Sequence, residues 1–379
     1  MRKLPLLALA LAASSAAALT PVKIVTITSL SGPLSTLGNS TKLGGELAVR
    51  DHMAAMRALG FDLSLTTLDD GMKADLAMAD AQKAVGDPSV LGVMGSIVSG
   101  MSIAASQVLA PAKLAQVSPL STANEYTDRK LSTVNRVVAR NGAQGAAMAA
   151  YAAQTLGAKK VFIVSDSTKY GDGLAADFQG ATASNRLSVL GTVSTVKRSG
   201  FGELVKLIAA KKPDLIYYGG QWDGALGLLK DLRAAKVNTP FAGGDGLDTP
   251  EYFQTGKAAV RGTYYTTTFG PLNKFASAGA FTQRYRDAFG EAPTIHSLFA
   301  YDAMNVLLTA VENAARAGGK LPSREQVALA VRKVNLSSAL TGQIQLDSQG
   351  DRVKAPLFIM KIDQESYLPD VEKISIVSR

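Results

Sequence analysis

Six residues of this chain follow short apolar runs, and their types fall into two groups. Ser99, Ser121 and Thr122 supply hydroxyls in the first half, while Tyr170, Trp222 and Asp245 supply two aromatics and an acid in the second. Hydroxyls, with the free N–H groups at a helix start, suit an anionic carboxylate, and a lone acid suits an ammonium. Together they describe a clamp for a zwitterion. Each residue also has a plainer use. Ser99 and Ser121 are favoured helix N-caps, Asp245 between two glycines fits a turn, Trp222 fits a core, and Tyr170 before Gly171 fits loop packing.

The elements that must position them alternate short β-branched runs with longer helical stretches. In the first half, strands are expected at 22–30, 63–68, 90–94 and 115–117, with helices at 44–59, at 74–85 and after the loop 95–100. The pattern restarts at Gly142. Helices at 142–156, 174–183, 201–210 and 225–235 alternate with strands at 160–164, 187–196, 215–218, 241–242 and 262–269. Helices at 297–317 and 324–334 follow, and 344–346 is expected to pair with 357–362 across Ser348-Gln349-Gly350-Asp351. Such alternation gives parallel strands with crossover helices, and ligands then sit beyond the carboxyl ends of the strands. The expected architecture is two α/β units in tandem, without a short repeat or a low-complexity linker.

Composition narrows the chemistry further. The 379 residues are 47% hydrophobic and 19% charged, enough core for two lobes and too apolar for a disordered chain. With no cysteine, thiol catalysis, iron–sulfur clusters and a lipid-anchored N-terminal cysteine are excluded. Two histidines, His52 and His296, are too few for a multi-histidine metal centre. The net charge of +9 is spread as singles and pairs, which reads as solvated faces and not a phosphate-binding stripe. Nucleic acid is therefore not an expected partner.

Met1-Arg2-Lys3, the apolar stretch Leu4 to Ala13 and the small residues Ala16-Ala17-Ala18 follow the grammar of a secretory signal peptide. That apolar stretch is about ten residues, against roughly 20 for a bilayer span. The expectation is a leader at 1–18 and a mature chain that is soluble, extracytoplasmic and not a lipoprotein.

Enzyme signatures are missing. There is no G-x-x-x-x-G-K-[ST] loop, no G-x-G-x-x-G fingerprint and no G-x-S-x-G elbow at Ser99. His52 lies in a helix and is expected to be exposed. Asp69-Asp70 suits a hard cation in principle but reads as a strand-to-helix turn. No catalytic residue, metal or cofactor is assigned. An exported sensor, an exported hydrolase or amidase and a nucleic-acid binder remain as other readings.

At these residues the chain resembles the branched-chain amino acid (leucine/isoleucine/valine) binding proteins of ABC importers, of the type I periplasmic binding fold. The markers are Leu30-Ser31-Gly32-Pro33, Asp69-Asp70, Ser118-Pro119 with Ser121-Thr122, Lys169-Tyr170-Gly171-Asp172-Gly173, Asp214 with Tyr217-Tyr218-Gly219-Gly220, and Gly244-Asp245-Gly246. The resemblance implies two Rossmann-like lobes with parallel central sheets joined by three hinge crossovers. Lobe one would hold 22–141 and 267–356, and lobe two 142–266 and 357–379. It further implies that Ser99, Ser121 and Thr122 hold a ligand carboxylate and that Asp245 meets its ammonium. Tyr170 would close over the ligand and Trp222 line the cleft. A monomer that hands a small aliphatic amino acid to a membrane permease is the expected carrier; amides, urea or other small carboxylates are the alternatives. Leu37, Gln221-Trp222 and His296, near the cleft border, depart from the family's pattern. Met72 and Val98 stand where some relatives carry a disulfide.

Overall fold

Every residue of Val90–Gly95 is buried, as expected of a strand covered on both faces by helices. The computed structural model describes residues 18–362 and the backbone of 370–378; the expected leader, except Ala18, lies outside them. The first lobe runs β1 (Thr20–Thr28), α1 (Ser35–Ala58), β2 (Phe61–Asp69), α2 (Ala74–Gly86), β3 (Val90–Gly95), α3 (Ser99–Leu109), β4 (Ala115–Ser118), α4 (Asn124–Asp128) and β5 (Val134–Arg136). Its five strands lie in the order β2-β1-β3-β4-β5, and all pairings are parallel.

The second lobe runs α5 (Asn141–Gln154), β6 (Lys160–Ser165), α6 (Lys169–Thr182), β7 (Ser188–Ser194), α7 (Gly202–Lys211), β8 (Leu215–Gly219), α8 (Trp222–Ala234), β9 (Phe241–Gly243), α9 (Pro250–Gly256) and β10 (Thr263–Thr267). The chain then returns to the first lobe with α10 (Ala278–Phe289), α11 (Ile295–Gly318), α12 (Arg324–Val331), β11 (Asn335–Leu336) and β12 (Ile344–Gln345). It ends in the second with β13 (Lys354–Lys361) and β14 (Asp370–Ser378), completing the order β14-β13-β10-β9-β8-β6-β7. The passages between sheets are 137–140, 268–277 and 346–353.

Helix α11 is the spine of the first lobe, with Leu298, Phe299, Met304, Leu307 and Leu308 wholly buried. Burying each such side chain contributes about 1.5–3 kcal/mol. It crosses α1 so closely that a Cβ on Gly44 would stand 2.3 Å from the Ser297 carbonyl oxygen. His52 of α1 reaches across to α11, where Nδ1 lies 2.6 Å from Glu312 and Nε2 2.9 Å from Asn305. It is therefore a half-buried interhelix strut rather than an exposed residue. Asp69 and Asp70 serve the turn: Asp69 accepts from the Leu30 and Gly71 amides, and Asp70 from Ser29, Ser96 and the Met72 amide.

The passages are tied by buried charge. Arg136 at the end of β5 sits 2.8 Å from Asp351, and Arg140 lies 3.0 Å from the same carboxylate. Arg352 donates to the Val137, Thr341 and Gln343 carbonyls at 3.0, 2.8 and 2.9 Å. The first passage is thus riveted to the third.

Several sequence expectations need correction. Residues 344–346 do not pair with 357–362; β12 pairs with β11, while β13 lies antiparallel between β10 and β14. Thr267 and residues 354–356, assigned from sequence to lobe one, lie in strands β10 and β13 of the second sheet. Helix α1 starts at Ser35 and not at Gly44, because Ser35–Thr41 is polar and carries no apolar stripe. Strand β5, with three residues, is too short to show a period, and α10 is a helix that the sequence pattern does not predict.

Candidate functional site

In the second lobe, the site starts from a carboxylate that knits two loops together. Asp166, after β6, accepts from the Thr168 amide at 3.0 Å and from the Gln221 amide, after β8, at 3.0 Å. Thr168 caps α6 by accepting from the Gly171 amide at 2.9 Å. That cap fixes Tyr170 on the first turn, with its ring aimed at the loop after β9. There the Tyr170 hydroxyl donates to Asp245 Oδ1 at 2.7 Å and accepts from the Gly246 amide at 2.7 Å. Glycine is required at 246, since a Cβ would stand 2.5 Å from the Gly220 oxygen and 3.0 Å from Tyr170.

In the first lobe, Ser99 opens α3 and its Oγ accepts from the Ala123 amide at 3.2 Å. Thr122, in the loop after β4, is buried, and its hydroxyl has no hydrogen-bond partner among the described residues. The two lobes enclose a cavity of about 50 Å³. Its walls include Ser99, Thr122, Tyr170, Gln221, Asp245 and Thr249, with Leu34, Leu37, Leu120 and Phe269 as the apolar side and His296 beside them. No lysine or arginine is among these described lining residues.

Burial sets the titrations. It raises Asp245 to about 6, against hydrogen bonds from Tyr170 that favour the ionised form. It raises neighbouring Asp248 to about 7, helped by the charge on Asp245 and opposed by Thr267, which donates at 2.7 Å. It lowers His296 to about 4, leaving a neutral imidazole near pH 7. The Tyr170 phenol is pushed well up by burial and by Asp245, so it stays a donor.

The residues singled out from sequence therefore part company. Ser99, Thr122, Tyr170 and Asp245 surround one cavity. Ser121 faces the other way: its Oγ shares a 2.7 Å hydrogen bond with Ser102 and donates to the Ser96 carbonyl. Trp222 lines a neighbouring cavity of about 440 Å³, with Met101, Ile103 and Arg198, that shares Leu34, Val98, Tyr170 and Gln221 with the first. Thr249, Phe269 and Leu120 were not anticipated. No cluster of three or more histidine, aspartate or glutamate side chains able to hold a metal occurs among the described residues.

Residues 21–366 match the family described as periplasmic binding protein. The chain belongs to that family. It is 31% identical over 336 residues to the Leu/Ile/Val-binding protein BraC3 of Rhizobium johnstonii, covering 87% of this chain and 88% of that protein. It is 28% identical over 352 residues to Leu/Ile/Val-binding protein homolog 3 of Brucella melitensis, covering 92% and 93%. Among solved structures, the leucine binding protein LivK of Thermotoga maritima superposes with a TM-score of 0.84 at 27% identity, covering 93% of this chain and 98% of that one. The two-lobed fold expected from the residues is the family's fold, and no helix among the described residues is long and apolar enough to cross a membrane.

Proposed function

We propose that the chain is an extracytoplasmic carrier that captures a small α-amino acid, branched-chain or otherwise aliphatic, and delivers it to the membrane permease of an ABC importer. One observation carries the ligand class. Asp245 is a buried carboxylate on a cavity whose described lining holds no lysine or arginine. A buried carboxylate without a cation costs several kcal/mol or takes up a proton, and a ligand ammonium removes that cost.

The opposite wall suits the other end of the ligand. The first turn of α3, with Ser99 and the unpartnered Thr122 hydroxyl, offers donors to a carboxylate. Leu34, Leu37, Leu120 and Phe269 suit an aliphatic side chain. Because ammonium and carboxylate contacts come from different lobes, occupancy favours the closed arrangement, which is the shape a permease reads. No bond is made or broken in this reading. The names of the relatives support it, and the signal grammar of the first 18 residues supports export.

Thermal unfolding of the mature chain against the twenty amino acids, urea, amides and small carboxylates tests it. A ligand at 100 times its Kd adds about 2.7 kcal/mol of stability. Stabilisation by leucine, isoleucine or valine, lost in Asp245→Asn, is the expected result. A response only to compounds without an amine would overturn it.

A further inference from the structure

We propose that His296 is a specificity-determining residue, whose imidazole hydrogen-bonds a neutral polar group, an alcohol or a carboxamide, on the side chain of the bound ligand. The inference rests on the α-amino-acid reading above and departs from it in one respect: the ligand's side chain carries a polar group and is not wholly aliphatic.

His296 is the second residue of α11, 2% exposed, and it lines the same cavity as Asp245 and Tyr170. The Phe269 ring covers it at a centroid distance of 4.8 Å. Neither ring nitrogen hydrogen-bonds to any described residue. The contrast within the molecule is direct, because the other histidine, His52, places both nitrogens on partners, Glu312 and Asn305. A buried polar group without a partner is costly, and native structures nearly always satisfy it. Here the open side of the ring is the cavity, so the partner belongs to whatever fills it.

The chemistry of that partner follows from the ring. A neutral imidazole presents one N–H donor and one acceptor nitrogen. An alcohol or a carboxamide can both donate and accept, and so fits in either tautomer. A second ammonium on the ligand would find only the acceptor nitrogen amid Leu34, Leu37 and Leu120, without an anion to balance it. Burial holds the ring neutral near pH 7, which disfavours an anionic side chain. A site built to hydrogen-bond a side chain discriminates strongly against the isostere that lacks the group.

The test is calorimetry of the mature chain with two near-isosteric pairs, threonine against valine and asparagine against leucine. In the pair that binds more tightly, the polar member is expected to bind at least tenfold better. His296→Leu should reverse that ratio in favour of the apolar member, and His296→Gln, which keeps a donor and an acceptor, should preserve its direction. Preference for the apolar member in both pairs would overturn the inference and leave the amino-acid reading standing. A ratio unchanged in a folded His296→Leu variant would do the same. Should that variant fail to fold, the wild-type ratios decide alone. If none of the four amino acids binds, this inference falls, while the amino-acid reading is decided by the screen of all twenty.

Discussion

The Tyr170 hydroxyl donates to Asp245 Oδ1 at 2.7 Å while accepting from the Gly246 amide at the same distance. One phenol therefore orients the carboxylate and pins the loop that carries it. Tyr170→Phe removes both bonds, each worth about 0.5–1.5 kcal/mol, or more to a charged group. Ligand affinity is expected to fall about tenfold or more in calorimetry. The carboxyl of Asp245 should also titrate higher than in the wild type, by carbon-detected NMR. An unchanged affinity would remove Tyr170 from the site.

Acid should release the ligand. Burial raises Asp245 to about 6 and Asp248 beside it to about 7, and a protonated carboxyl no longer attracts an ammonium. Affinity is expected to be flat above about pH 7 and to fall by up to tenfold per unit below about 6. For the free protein the sign is opposite. A carboxyl raised on folding stabilises while protonated, and this contribution is lost as pH rises through about 6. Free Asp245→Asn should thus be no less stable than wild type at pH 8, by denaturant titration, although it binds poorly.

Thr122→Val separates binding from folding. Thr122 is buried and its hydroxyl has no hydrogen-bond partner among the described residues, so replacing it by a methyl leaves no group stranded. Stability is expected to hold or rise slightly, whereas affinity for an amino acid drops about tenfold. Equal affinity would mean that the carboxylate is held elsewhere.

How far this was legible in the sequence depends on what carries each residue. Loops after parallel strands are visible as breaks in an apolar pattern, and Tyr170, Asp245, Ser99 and Thr122 lie in such loops or on the first helical turn after them. Ser121 and Thr122 are neighbours, so one faces the cavity and one the lobe interior, but spacing alone does not say which. The Ser102 and Ser96 partners decide it. Phe269 lies in a passage between lobes and Thr249 caps α9, places that a rule about strand ends does not reach. The antiparallel β13 likewise takes β10 and β14 as its neighbours, and not the segment 344–346 expected to pair with it across a turn. Alternation shows that a strand exists, not which neighbour it takes.

The riveted passages make a separate prediction about stability. Asp351 faces Arg136 at 2.8 Å and Arg140 at 3.0 Å, and Arg136 is wholly buried. Asp351→Ala leaves a buried guanidinium without its counter-ion. The expected loss is about 3–5 kcal/mol in urea unfolding. A loss below 1 kcal/mol would show that the carbonyls of Ser121 and Ala123, which also receive the Arg136 guanidinium, suffice.

On the function proposed above, Asp245 makes this cleft a receptor for the α-ammonium of an amino acid. Calorimetry of the mature chain with leucine, isoleucine and valine, each beside its deamino acid (4-methylpentanoate, 3-methylpentanoate and 3-methylbutanoate), tests it most directly. Binding of at least one amino acid is expected, with its deamino partner weaker by a hundredfold or more in the wild type. In Asp245→Asn that gap should shrink to tenfold or less. Deamino acids that bind the wild type as tightly as the amino acids would contradict it.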